Sequence, residues 1–341
     1  MIYKIILSGR LDFGNEKTFA KVLQMYQYRV ENFYKTDLLI KEDAFEAENF
    51  FLNVPRTVLH SDEKNWNNTV KLLRYLAQFA VSSTMKMWLI DESGDRKHVE
   101  HISIEPETDK VAVQEFIKGR QLIDQSGKET EAIDALNKAI EKYERHALAY
   151  ERRGYVNYQL RNFNDALYDF TKSIDLNPNN AEPFFGRALV KIYKDDLKGA
   201  VADLDQAAKN AIPLQPMYWK IRRIKGEAHL KLEEYEEAVK EFKFVTTRQY
   251  EPEDPNFKWS RSAYFNYGKA LMEVKNYSDA LRAFDNALKA AAGKETFKEA
   301  EILVLRGIVA QKAGKDSYKK DWQDAAGLGS AKAAELLATV S

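Results

Sequence analysis

Residues 147–179, ALAYERRGYVNYQLRNFNDALYDFTKSIDLNPN, decide how this chain folds. Gly154 is followed twelve positions later by Ala166, then by Phe170 four residues on and Ser173 three beyond that. Steps of three and four put these side chains on one helical stripe, and its small residues let a second helix approach closely. Asn177-Pro178-Asn179 closes the unit, because Pro178 lacks the amide hydrogen a continuing helix would use. Working outward, the place of Gly154 is taken by Gly119, Ala188, Gly226, Gly268 and Gly307. The alanine recurs twelve residues later at Ala200, Ala238 and Ala280, and thirteen later at Ala132. Leu136, Leu204, Phe242 and Phe284 supply the large apolar residue, followed by Ala139, Ala207, Val245 and Ala287.

A unit of two helices with a period near 34 residues and this pattern resembles the tetratricopeptide repeat (TPR) family. The resemblance implies an all-α right-handed solenoid of about six helix–turn–helix repeats over residues 111–341, each stacked on its neighbour to bury a shared core. Helices are expected over 113–125 and 129–143, then further repeats over 147–179, 181–209, 219–249 and 261–291. Successive small residues are 35, 34, 38, 42 and 39 apart. The extra residues fall between repeats, at 211–216 and 250–255, where Pro213, Pro216, Pro252 and Pro255 favour stiff, extended connectors. In the sixth unit 300–311 supplies the first helix and 317–326, with Trp322, the second, although Lys319 stands where the alanine belongs. Ser330 then caps an alanine-rich C-terminal helix, a suitable end for a stack with nothing beyond it.

Residues 1–105 have a different texture, that of an α+β domain, and 106–110 form a linker. Strands are expected over 2–8, 38–41 and 49–60, with Pro55 marking an edge or a bulge in the last. Helices are expected over 15–34 and from Ser61-Asp62-Glu63 onward, and a hairpin joins 85–91 to 98–104 around Glu92-Ser93-Gly94-Asp95. The order β-α-β-β-α-β-β implies a mixed or antiparallel sheet with both helices on one face.

Composition narrows the function. Lys plus Arg and Asp plus Glu are 52 each, so no global field draws the chain to nucleic acid or membrane. Without cysteine there is no disulfide, thiolate nucleophile or cysteine metal site. The start of the chain reads as a strand rather than a leader, and no apolar run reaches the length of a membrane helix, which leads to the expectation of a soluble, cytoplasmic protein. His98 and His101, three apart on a strand, point to opposite faces and do not share a metal. Gly293-Lys294-Glu295-Thr296 lacks the upstream glycine of a phosphate loop, and nothing pairs a nucleophile with a base. The expectation is a non-enzymatic chain with no cofactor and no metal.

By the resemblance, the first helix of each repeat lines an inner groove that holds a peptide or a partner protein. The positions concerned include Arg120, Glu151, Tyr155, Tyr158, Phe185, Leu189, Tyr193, Lys220, Arg223, Phe265 and Lys269. Rings that bury apolar side chains beside cations that bind carboxylates suit an acidic-aromatic segment. Some relatives clamp the C-terminal carboxylate of chaperones with Lys, Asn and Arg on three successive repeats. This chain departs from that clamp, carrying Phe116 and Arg120, then Arg152, then Glu182 and Gly186; Asn266 recovers one element, but Glu301 and Leu305 follow. Lys220, Arg222, Arg223 and Lys225 form a basic cluster that helical geometry divides between faces. The reading is a protein-binding scaffold or adaptor. The alternative is a regulatory module whose N-terminal domain binds a small ligand or dimerises while the repeats recruit a partner.

Overall fold

A computed structural model describes residues 1–35, 37–93, 98–293 and 295–340, which form two compact units, Met1–Val190 and Lys191–Ser341. The first begins with β1 (Ile2–Asp12), α1 (Glu16–Arg29), β2 (Phe45–Glu46), β3 (Phe51–Asp62), α2 (Glu63–Ala77), β4 (Met85–Asp91) and β5 (His98–Ile104). All pairs are antiparallel, in the order β2-β3-β1-β4-β5. Ile5, Leu7 and Leu11 of β1 and Met85, Met87 and Leu89 of β4 share one core with Phe19, Val22 and Tyr26 of α1 and Trp66, Val70 and Leu73 of α2. Both helices therefore cover the same face, as the alternation of the strands requires. Asn15 and Asp62 cap the two helices, accepting from the amides of Thr18 and Asn65.

Two details differ from the sequence reading, and a third agrees with it. Residues 38–41 form no strand: the Leu39 amide donates to Thr69 Oγ1, and the Ile40 carbonyl accepts from Tyr26 Oη, so α2 and α1 take the place of a neighbouring strand. α1 stops at Arg29 and widens into a π-type turn over Val30–Tyr34. Pro55 lies at a bulge, since Leu7 pairs with Thr57 while Gly9 pairs with Val54. Gly9 is needed there: a Cβ would lie 2.2 Å from the Thr84 carbonyl oxygen. The expected turn at Gly94-Asp95, and the His98 side chain, lie outside the described residues.

The opposite face of the sheet is covered as well. Ile6, Arg10, Asp12, Trp88 and Ile90 are buried although α1 and α2 lie on the other side. Contacts run from this face to the repeats that follow. Tyr143 Oη donates to Asp12 Oδ2 at 2.7 Å, Arg145 lies over the Phe51 ring at 5.1 Å, and Lys86 Nζ is 3.8 Å from Glu182 Oε1.

The repeats of the first unit are α3 (Val111–Ile123) with α4 (Glu129–Lys142) and α5 (Ala147–Gln159) with α6 (Phe163–Leu176). α7 (Ala181–Tyr193) carries the boundary between units, and α8 (Leu197–Asn210) follows it. The second unit continues with α9 (Pro216–Lys231), α10 (Tyr235–Thr247), α11 (Ser260–Glu273), α12 (Tyr277–Lys289), α13 (Glu299–Lys312), α14 (Tyr318–Gly327) and α15 (Ala331–Ala338). Within hairpins the small residue meets the large one. A Cβ on Gly154 would come within 3.1 Å of the Phe170 ring, and on Gly226 within 3.0 Å of the Phe242 ring. In the last hairpin Trp322, fully buried, takes the aromatic's place against Gly307, with its Nε1 donating to the Val304 carbonyl.

Two further regularities hold the hairpins. Helices α5, α9 and α11 end on a left-handed residue, Arg161, Glu233 and Lys275, at φ near 60°. The next amide then bonds five residues back, from Asn162 to the Asn157 carbonyl, Glu234 to His229 and Asn276 to Leu271. A cation just before the small residue also pairs with a buried acid just before the large one: Arg153 with Asp169 at 2.6 Å, Lys225 with Glu241 at 2.8 Å and Arg306 with Asp321 at 3.1 Å. Both connectors turn rather than extend. Pro216 starts α9, whose missing amide costs nothing at a first helical position, and the Phe257 amide bonds back to the Asp254 carbonyl.

Candidate functional site

The second unit contains a cavity of about 700 Å³ lined by Lys220, Arg223, Trp259, Phe265, Lys269 and Phe297 among others. Four of these, Lys220, Arg223, Phe265 and Lys269, are groove candidates from the sequence, on α9 and α11. Residues four apart along α11 point the same way, which brings Phe265 and Lys269 together: Lys269 Nζ stands 5.7 Å from the centre of the Phe265 ring. The Phe297 ring stacks on Phe265 with centroids 4.1 Å apart.

The walls that complete the cavity come from between the repeats. Trp259 lies in a short turn, Phe257–Trp259, after the 250–255 insertion, while Glu295, Thr296 and Phe297 belong to the connector before α13. Gly293 lets that connector approach closely, since a Cβ there would lie 2.0 Å from the Lys258 carbonyl oxygen. Arg261, itself buried, secures the connector through Glu295 at 3.8 Å and holds the start of α13 through Glu299 at 3.0 Å. Period and spacing could not reveal Trp259 and Phe297, because neither lies on a repeat helix. The signal was the presence of aromatic residues in the segments between repeats.

Charge within the cavity is uneven. Arg223 is buried, lies over the Trp259 ring at 4.3 Å and pairs with Glu227 at 2.5 Å, so it supports the wall with its charge already matched. Partial burial of the ammonium, then repulsion from Arg223 and Lys258, holds Lys220 below the ordinary lysine range. An incoming carboxylate would relieve that repulsion. The rest of the basic cluster points away: Arg222 bonds Glu241 at 2.7 Å, and Lys225 bonds Asp205 at 2.6 Å and Glu241 at 2.8 Å. These pairings divide the cluster, so its four cations do not form one continuous basic tract.

Candidates in the first unit are placed differently. Arg120 is taken by Glu105 at 2.6 Å. Tyr158 packs edge-on against Phe163, and Phe185 is buried. Leu189 is half-buried, while Tyr155 is 42% exposed. Tyr193, at the start of the second unit, is exposed. Glu151, a groove position by the resemblance, is buried beside Arg152. Among the described residues no group of three or more acidic or histidine side chains could hold a metal ion, and no helix is long and apolar enough to cross a membrane. His101 stacks on Trp88, and Lys294 of the Gly293–Thr296 segment lies outside the described residues.

Residues 147–180 and 185–244 match the tetratricopeptide repeat family, and neither match reaches the α+β part of the chain. No curated protein matches the chain. Among solved structures, the chain is similar to one described as a functional characterization of Pseudomonas aeruginosa pilF, at 17% identity and a TM-score of 0.50, covering 68% of this chain and 98% of that one. YrrB, described as a TPR protein with an unusual peptide-binding site, is 18% identical with a TM-score of 0.48, covering 57% of this chain and 91% of its own. PilW, described as a widely conserved type IV pilus biogenesis factor, is 17% identical with a TM-score of 0.46, covering 67% and 99%. Residues 147–180 and 185–244 thus carry tetratricopeptide repeats, an interaction motif that supports a protein-interaction scaffold in general.

Proposed function

We propose, with tetratricopeptide repeats as the premise, that this chain is a non-catalytic scaffold whose second unit holds a segment of a partner protein in the cavity between α9, α11 and the connector before α13. The observation that carries this reading is the convergence of Lys220, Phe265 and Lys269 with Trp259 and Phe297 on one cavity of about 700 Å³. Three rings supply apolar walls, and two lysines supply charge at the rim. Such a cavity suits an extended segment with an aromatic or aliphatic side chain next to Asp or Glu. The walls are held by stacking and ion pairs before any ligand arrives, which limits the ordering cost of binding.

A displayed peptide library selected on the intact chain tests this. Enrichment of acidic residues beside Phe, Tyr or Leu, lost when selection is repeated on Lys269→Glu, is the expected result. Enrichment of basic or featureless peptides, or the same set on Lys269→Glu, would contradict it.

A further inference from the structure

Inner positions of the first repeats are occupied by the chain itself. Val113 and Phe116 of α3 border Val81, Ser82, Ser83 and Thr84 of the N-terminal domain, and Arg120 is bound to Glu105. Glu182 of α7 meets the sheet through Lys86 of β4, whose charge also bears on Glu151 of α5. Glu151 is only 3% exposed; one of its oxygens accepts from Asn180 Nδ2, and the other lies 3.3 Å from Arg152 Nε. Arg152 also reaches Glu182 at 3.1 Å, and Glu182 lies 3.8 Å from Lys86 Nζ. The two carboxylates therefore share Arg152, and both lie in the field of Lys86 from the sheet.

This contact is polar and incompletely satisfied. Arg10 Nη2 and His146 Nε2 are buried with no hydrogen-bond partner among the described residues. Complete burial pushes the His146 imidazole down to about 4, so it remains neutral. Buried groups of this kind offset much of what burial of Ile6, Trp88 and Ile90 contributes, which is the energetic profile of a contact that can separate.

We propose that the N-terminal sheet is a displaceable occupant, supplied in cis, of the inner face of α3, α5 and α7, and that the Glu151–Arg152–Glu182–Lys86 cluster is the latch that releases it. Burial, then the charge of Glu182, raises the Glu151 carboxyl to about 8. Lys86 and Arg152 act in the opposite direction, and Glu105 and Tyr155 bear on Arg152. On this proposal the docked sheet supplies the burial of Glu151, and a carboxyl so raised favours the docked state fully below its free value near 4.5 and loses that contribution as pH rises through about 8. Alkaline conditions thus loosen the sheet, and ionised Glu151 is solvated once it leaves.

Trypsin cleavage after Lys110 reads the docked state, because Lys110 Nζ donates to the Phe79 carbonyl across this contact. The intact chain is digested at pH 6 and pH 9, with rates normalised to a free peptide spanning 105–114. Wild type should be cleaved about tenfold faster at pH 9, and Glu151→Gln equally at both, since opening sets the rate when reclosing is fast. Lys86→Glu should be cleaved about tenfold faster than wild type at pH 7, and Lys86→Glu/Glu182→Lys should return to within about twofold of it. Circular dichroism distinguishes release from loss of the helices. A pH response that persists in Glu151→Gln, wild-type cleavage of Lys86→Glu, or a charge swap as fast as the single variant would overturn the proposal.

Discussion

Helices α5 and α9 are built alike and used differently. Each ends on a left-handed residue, sets a glycine against a phenylalanine of the following helix, and places a cation before that glycine against a buried acid. Their inner positions diverge. On α5, Glu151 is buried beside Arg152 and within the field of Lys86 of the N-terminal sheet; on α9, Lys220 and Arg223 border an open cavity. The buried framework of a repeat thus determines that it folds, while the few residues outside that framework determine what it meets.

The largest expected effect tests whether the framework is shared. Arg153→Met removes the cation from buried Asp169 in the first unit, leaving it the Asn157 amide, and Arg306→Met removes the cation from buried Asp321 in the second. Each should lower unfolding free energy in urea by about 3–5 kcal/mol. A large loss in only one would break the equivalence. Gly154→Leu and Gly226→Leu should both overpack the facing phenylalanine and cost about 1–3 kcal/mol, read from the same titrations. An unchanged midpoint for either would contradict the position assigned to it.

The next pair addresses the divergence. Tyr143→Phe removes the hydroxyl that satisfies buried Asp12 and should cost about 1–3 kcal/mol. Lys269→Ala, on the open cavity, should change stability by no more than about 0.5 kcal/mol. Equal losses would mean that both inner faces serve stability. The smallest effect is a gain: Glu233→Gly relaxes a left-handed residue and should raise the midpoint by about 0.5–1 kcal/mol of stability.

The repeat helices were legible because their pattern is periodic and local: Ala166, Phe170 and Ser173 place α6 to within a few residues. Trp322 could be placed on a helix but not against Gly307, since it falls fifteen residues after that glycine where the other aromatics fall sixteen after theirs. The ion pairs were present as Arg153 and Asp169, Lys225 and Glu241, Arg306 and Asp321, but a reading of apolar spacing passes over charges. In the N-terminal domain Leu38–Lys41 looked like a strand, yet side chains of α1 and α2 satisfy its backbone, a tertiary choice that local pattern does not contain. Lys220, Arg223, Phe265 and Lys269 could be assigned to helix positions by resemblance, whereas Trp259 and Phe297 depend on how two segments between repeats fold back.

The central claim is that the cavity of the second unit, rather than the inner face of the first, receives the partner. Calorimetric titration of a selected peptide into intact wild-type, Phe265→Ala and Tyr155→Ala chains measures this directly. The account predicts that Phe265→Ala weakens binding about thirtyfold, the equivalent of ~2 kcal/mol at a central aromatic, and that Tyr155→Ala stays within about twofold. Full affinity in a folded Phe265→Ala chain, with the loss falling on Tyr155→Ala instead, would contradict it.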